Sequence, residues 1–227
     1  MTPRPPACFS RETFRFLGDL KQNNDRAWYA ANKARYDEHV KSPALALIED
    51  FGPRLAKISP RFAATPRSLY RLHRDTRFAK DKSPFKTHAG IHFRHERARD
   101  AHAPGFYLHV EPGNVFAGVG IWHPEPDALR RIREHIVERP DAWKRASRAK
   151  AFASRFELAG DRLSRPPKGF DPGHPLIEDL KWKDYIGVAT LDERFAREPA
   201  LPAALATLYR NATPFMRFLC EALGVPF

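Results

Sequence analysis

Between Tyr70 and His88 the chain reads YRLHRDTRFAKDKSPFKTH. Six cations, Arg71, Arg74, Arg77, Lys80, Lys82 and Lys86, stand there against two carboxylates, Asp75 and Asp81. Two acids cannot neutralise six bases, so the surplus charge turns to solvent, to acids elsewhere in the chain, or to a bound anion. Arginine's planar fork matches phosphate and carboxylate oxygens in pairs, and lysine supplies a point charge. Arg71, Arg74, Arg77, Lys82 and Lys86 are therefore candidate anion ligands, and Asp75 and Asp81 are expected to shape the loop that carries them. The competing reading is an internal lattice in which these acids hold only their own bases, as charged loops often do.

Two further basic segments bear on the same chemistry. In GDRLSRPPKGF, residues 160–170, Pro166–Pro167 stiffens the backbone in an extended form, so that Arg165 and Lys168 are presented at low entropic cost. They are the candidates for closing an anion site from its other side. In LKWKDY, Lys181 and Lys183 fall on one face of an expected strand, where solvated lysines are also common. Histidines at 88, 92 and 95 have a spacing that suits a metal on a helix. Gly90, Ile91 and Phe93 make the segment a strand instead, and four strand residues span roughly 13 Å, too far for one ion. No metal and no cofactor is expected. His73 and His109 are conceivable general acids or bases beside a basic cleft, though a satisfied, partly buried imidazole is the commoner state. No phosphate-binding glycine loop, nucleophile elbow or HExxH motif occurs, so the residues name no reaction.

The elements that must position these groups follow from periodicity. Apolar residues at helical spacing predict helices beginning at SRETFRFLGDL, NNDRAWYAANKARYDEHV and SPALALIEDFGPRLAKI. Ser10, Asn24 and Ser42 are the expected caps, with Pro43 at the first helical position. The middle changes character. SLYRLHRD, AGIHFRH, GFYLHVEP and NVFAGVGIW are short, aromatic or β-branched, and bounded by Gly and Pro, which predicts strands. EPGNV predicts a hairpin turn centred on Gly113–Asn114. Alternation assigns the faces: Phe106, Leu108 and Val110 point one way, and Tyr107, His109 and Glu111 the other. By the same parity Arg71 and His73 share a polar face, as do His92 and Arg94. DALRRIREHIVER, DAWKRASRAKAFASRF and LPAALATLYRNATPFMRFLCEALG return to helical period, and KWKDYIGVATL predicts a further strand. The fold class is α+β: a mostly antiparallel sheet with a central hairpin, covered by helices from the N- and C-terminal parts. Residues 1–9 are expected to form a flexible tail and 10–227 a single domain.

Composition bounds the partners. Net charge is +12 over 227 residues, which favours anionic partners, although the bases are dispersed rather than gathered into a nucleic-acid tail. Two cysteines, Cys8 and Cys220, argue against a disulfide framework or a thiolate zinc site. No apolar stretch approaches the roughly 20 residues of a membrane span, and the first ten residues lack the apolar core of a secretory leader. A cytoplasmic protein without a membrane partner is the expectation.

The order FLGDLKQNNDRAWYAANKARYD, YRLHRDTRFAKDKSPFKTH, GFYLHVEPGNVFAGVGIWHPEP, GDRLSRPPKGF and LKWKDY, spanning Phe14 to Leu219, resembles the family catalogued as domain of unknown function 2461. The resemblance rests on Tyr70, Arg71, Arg74, Asp75, Arg77, Phe78, Asp81, Lys82, Pro84, Phe85 and Lys86. Where the family commonly has tyrosine, this chain has His73 and Phe85, so position 85 carries no hydroxyl. The resemblance implies one domain and no particular reaction. Three readings stay open on the residues: a basic sheet face binding a small phosphorylated or other anionic ligand, conceivably as an enzyme; a nucleic-acid-binding module using the same bases, with Tyr70 or Tyr107 for stacking; and a structural or protein-interaction domain.

Overall fold

The computed structural model describes residues 6–97 and 104–227. Helix α1 (Arg11–Gln22) is closed by a capping box in which the Ser10 and Thr13 side chains bond each other's backbone N–H. Its inward stripe includes Phe14, Leu17 and Leu20. Helix α2 (Arg26–Tyr36) is capped by Asp25, whose carboxylate accepts from the Trp28 N–H at 2.9 Å. Asn24, the expected cap, does something else. Its side-chain amide donates to the Phe85 carbonyl at 2.9 Å and accepts from the Phe85 N–H at 3.0 Å, holding that backbone as a neighbouring strand would.

Ser42 caps nothing. Helix α2 runs through a wide π turn (Asp37–Lys41) directly into α3 (Ser42–Ile58). The cause is Pro43, which has no N–H to return to His39 four residues earlier. The Thr13 hydroxyl donates to the His39 carbonyl in its place, at 2.5 Å, and the wide turn absorbs the mismatch.

A six-stranded antiparallel sheet follows, in the spatial order β1 (Phe62–Ala63), β2 (Ala89–His95), β3 (Gly105–Glu111), β4 (Asn114–Ile121), β6 (Tyr185–Leu191), β5 (Glu157–Ala159). The α+β class holds. The hairpin pairs Glu111 with Asn114, so the turn is centred on Pro112–Gly113, one residue earlier than expected. Pro112 fixes its own φ, and Gly113 takes φ of 73° without a Cβ penalty. SLYRLHRD is not a strand. It makes isolated bridges only, Leu69 with Ile91 and His73 with Phe85, and the chain there crosses the sheet edge as an irregular arm. Lys181 and Lys183 precede β6 rather than lying on it.

The predicted parity of β3 is met. Phe106, Leu108 and Val110 are fully buried on the inner face. Helix α3 and the helices Leu201–Arg210 and Thr213–Ala222 pack there. Phe51 of α3 lies 4.7 Å from the Phe93 ring, Tyr209 lies 5.0 Å from Phe106, and the Tyr209 hydroxyl donates to the Tyr107 carbonyl at 2.7 Å. Trp143 of the helix Pro140–Arg148 and Tyr185 extend the same core. Phe9, within the stretch expected to be a loose tail, is 2% exposed and donates its N–H to the Ala196 carbonyl; residues 1–5 of that stretch lie outside the described residues. Among the described residues no helix is long and apolar enough to cross a membrane.

Candidate functional site

The outer sheet face carries a cavity of about 620 Å³, within the roughly 300–1,000 Å³ of small-molecule sites. Glycine makes the room. Gly105, Gly118 and Gly120 stand side by side or one repeat apart on β3 and β4, all on the outer face by strand parity. All three line the cavity, and Gly118 leaves it open space: a Cβ there would meet nothing closer than Tyr107 Cβ at 3.6 Å. Phe116, Ile186 and Val188 complete an apolar wall, and the half-exposed Trp122 stands at the rim.

The opposite wall is polar and comes from three places: Tyr70 and Lys86 from the two ends of the irregular arm, His88 and His92 from β2 and the residue before it, and Tyr107 and His109 from β3. Close packing of this wall again depends on glycine. A Cβ on Gly90 would lie 2.7 Å from the Tyr107 hydroxyl, and one on Gly105 would lie 2.1 Å from His92 Nε2.

Two tyrosine–histidine pairs organise the polar wall. Tyr70 Oη lies 2.9 Å from His92 Nδ1. Arg94 Nε, which can only donate, also points at that nitrogen from 3.3 Å. Nδ1 is therefore the acceptor, Tyr70 donates, and the ring proton of His92 sits on Nε2. Tyr107 Oη lies 3.0 Å from His109 Nδ1, and His109 Nε2 lies 3.3 Å from a Glu111 oxygen. Thr87 and Asn114 also donate to Glu111, at 3.0 and 3.3 Å. Burial alone pushes the Glu111 carboxyl up, but these hydrogen bonds from Thr87, Asn114 and His109 outweigh it and leave it below the usual range. An ionised Glu111 accepts the Nε2 proton of His109, so His109 Nδ1 accepts from Tyr107. Residues 107, 109 and 111 alternate on one strand, which is what aligns the three groups.

Burial sets the charge state of the wall. It lowers His88 to about 4, helped by His109 and Lys86, and lowers His92 to about 4, helped by Arg94. It lowers His109 too, against the opposing pull of Glu111. It raises the Tyr107 phenol well above its ordinary value, with Tyr70 and Glu111 adding to the effect. The imidazoles are neutral and the phenol protonated near pH 7. Lys86 is the cavity's cation. It is half-buried, lies 4.9 Å over the Tyr70 ring, and is pushed below the usual lysine range by burial and by Arg71. Among the described residues no carboxylate lies within ion-pair distance of it.

The other sequence candidates are distributed differently. Arg74 pairs with Asp81, and Arg77 pairs with Asp75 through Nε and Nη2 at 3.0 and 2.7 Å. Lys82 donates to the carbonyls of Thr76 and Arg77. Asp81 also caps the Ser83 N–H and hydroxyl. Arg71 is exposed and off any strand, so the polar strand face expected for Arg71 and His73 does not exist. His73 is exposed and packs edge-on against Phe85, away from the cavity lining. Arg165 and Lys168 are exposed in the connection after β5, also outside the lining. The residues brought together are Lys86 with Tyr70, Tyr107 and His109, and with them His88, His92 and Glu111, which the sequence reading did not assign to a site. Their signal was strand parity: 88 and 92 share a face, and His95 faces the other way, against Phe62. Among the described residues no group of three His, Cys, Asp or Glu side chains is arranged to hold a metal ion.

These features define an α+β protein whose antiparallel sheet buries one face under helices and hollows the other into a small-molecule-sized cavity. The model of the family described as conserved hypothetical protein (DUF2461) matches residues 12–218, and the chain belongs to that family. No curated protein matches the chain.

Proposed function

We propose that the outer-face cavity binds a small organic anion with a flat or apolar body. The observation that carries this is Lys86: a half-buried ammonium on the cavity wall without a carboxylate partner among the described residues. Buried charges are normally paired, and a ligand carboxylate or phosphate is the partner the geometry leaves room for. The apolar wall of Phe116, Ile186 and Val188 takes the body of the ligand. The two phenol protons are engaged by histidines, so neither hydroxyl competes with Lys86 for the anion. Arg71, which acts on Lys86 electrostatically, adds to the field at the mouth. A recessed cavity with one cation suits a small molecule better than a nucleic-acid backbone, which needs a row of phosphate contacts.

The test is a calorimetric and thermal-shift titration with phenylacetate, phenyl phosphate and phenylpyruvate, against inorganic phosphate and neutral phenylacetamide. The aromatic anions are expected to bind and raise Tm, with phenylacetamide and phosphate far weaker. Lys86→Met should weaken the aromatic anions by about tenfold or more, the worth of one charge-assisted contact. If no aromatic anion binds, or if Lys86→Met binds them equally well, the reading is wrong.

A further inference from the structure

The alignment Tyr107–His109–Glu111 does more than a binding wall requires. A hydroxyl that only contacts ligand needs one partner. Here the hydroxyl hands its proton to an imidazole, at 3.0 Å, whose other nitrogen hands its proton to a carboxylate, at 3.3 Å. The carboxylate is itself fixed by Thr87 and Asn114, with the Lys21 ammonium 3.9 Å away. Each member is held by the next, and both Tyr107 and His109 line the cavity. This is the arrangement that lets a proton acceptor work through a chain: when Tyr107 Oη takes a proton, its own passes to His109 Nδ1, and the imidazolium is stabilised by Glu111. We propose, building on the anion-binding reading above, that the cavity is a catalytic site for proton transfer at a carbon beside a carbonyl, acting on aromatic or similarly flat 2-oxo acids by keto–enol isomerisation.

The ligand class follows from the two walls. A 2-oxo acid presents a carboxylate oxygen and a carbonyl oxygen side by side, so one ammonium reaches both. With these oxygens on Lys86 and the apolar body against Phe116 and Val188, the adjacent carbon lies between the walls, where Tyr107 opens. In the step, the C–H bond breaks and its proton forms a bond to Tyr107 Oη. The Tyr107 proton moves to His109 Nδ1. The C–H electron pair becomes the C=C bond, and the carbonyl π pair moves onto oxygen, giving an enolate against the Lys86 ammonium. The proton held on His109 then returns through Tyr107 Oη: delivered to carbon it regenerates the keto acid, and passed by way of a solvent water to the enolate oxygen it gives the enol, so no co-reactant is consumed. A neutral imidazole is a weak base, but weak bases suffice for this step where the enolate oxygen is well held: a carboxylate base of nearly ordinary pKa serves ketosteroid isomerase beside a strong oxyanion site. Tyr107 is the catalytic residue; His109 and Glu111 position and relay.

The experiment uses phenylpyruvate with the full chain. Enol formation is followed by ultraviolet absorbance with borate trapping, and exchange of the carbon-bound hydrogens in D2O by NMR. Binding is measured separately by calorimetry. Wild type is expected to raise both rates well above buffer. Tyr107→Phe should abolish the increase with Kd little changed. Glu111→Gln should lower kcat by about 10²-fold, a typical general-base contribution, with KM little changed, and Glu111→Asp should recover part of it. A purely structural glutamate would change Kd and Tm and leave no such split. Phenylpyruvate that binds without any acceleration overturns the proton-transfer inference and leaves the binding reading standing. Acceleration that survives Tyr107→Phe overturns the assignment of the relay. Failure to bind phenylpyruvate while phenylacetate binds overturns the 2-oxo acid class, and failure of every aromatic anion to bind overturns the binding reading itself.

Discussion

Two regions of this molecule carry basic residues, and they treat charge in opposite ways. On the arm between Tyr70 and Lys86, Arg74 and Arg77 are answered by Asp81 and Asp75, and Lys82 by backbone carbonyls. All of these lie toward solvent. At the foot of the same arm, Lys86 turns into the cavity and meets rings and neutral imidazoles. Three of the arm's cations are therefore already answered, whereas among the described residues the cavity lining has one cation and no acid against it. Where an anion binds is decided by what surrounds each cation, and the number of cations in a segment says little about it.

The comparison breaks most readily by filling the cavity. Gly118 has ordinary backbone geometry for an L residue, and a Cβ there meets nothing closer than Tyr107 Cβ at 3.6 Å. Gly118→Val also suits a strand. Its methyl groups project into the space the ligand needs. Binding of aromatic anions should fall below detection while the unfolding midpoint stays close to wild type. Arg77→Ala on the arm should leave the same affinity within about twofold, since a screened, already paired surface charge contributes little. Equal losses in both variants would mean that the two regions form one binding surface.

The buried imidazoles sharpen the contrast through pH. His92 is held at about 4 by burial and Arg94 in the folded protein, and at roughly 6.5 in the unfolded chain. Because the unfolded chain takes up the proton first, the stability from keeping His92 neutral is present above pH ~6.5. It is lost as pH falls toward about 4. From pH 7 to pH 5 the loss is on the order of 2 kcal/mol for this one group. His88 titrates in the same direction. Urea unfolding of wild type and His92→Gln at both pH values should show the variant losing less stability on acidification. Identical slopes would place the titration elsewhere.

Much of this architecture was legible because period-2 alternation in GFYLHVEP separates two chemistries on two faces: Phe106, Leu108 and Val110 inward, Tyr107, His109 and Glu111 outward. What escaped notice depends on register or on covalent detail. Gly105, Gly118 and Gly120 meet in one cavity lining only once β3 and β4 are aligned with Gly105 opposite Gly120. Sequence alone cannot supply that alignment. Asn24 lies 61 residues from Phe85, so a local capping rule read it as a helix start. Pro43 looked like a first helical position for the reason that makes proline common there, while the Thr13 hydroxyl that compensates for it comes from another helix. SLYRLHRD alternates like a strand but pairs only at single bridges: around His73–Phe85 the Arg74 N–H donates to Pro84 and the Lys86 N–H to Leu72, while the Phe85 N–H and carbonyl face the other way, to Asn24. Lys86 resembled its neighbours on the arm in every respect except burial.

The smallest expected effect concerns the arm's acids. Asp81 accepts from Arg74 and from both the N–H and the hydroxyl of Ser83, and Ser83 and Arg74 hold it well below the usual carboxylate range. Among the described residues Asp75 bonds only to Arg77, two residues away. Both side chains are exposed, so neither loss should move the unfolding midpoint much. Their effects on local order should nevertheless differ. Asp81 joins residues 74 and 83, near the two ends of the exposed turn that carries Phe78, which is 95% exposed. Asp75 shapes only the step from 75 to 77. Asp81→Ala should therefore raise the rate of proteolytic nicking between Thr76 and Lys82, since cleavage of exposed segments follows local opening. Asp75→Ala should change it less, and neither should change the affinity for aromatic anions. Measured nicking rates with phenylacetate present and absent complete the test. If Asp81→Ala weakened binding as well, the arm and the cavity would be mechanically joined through Lys86, and the separation drawn between them would fail.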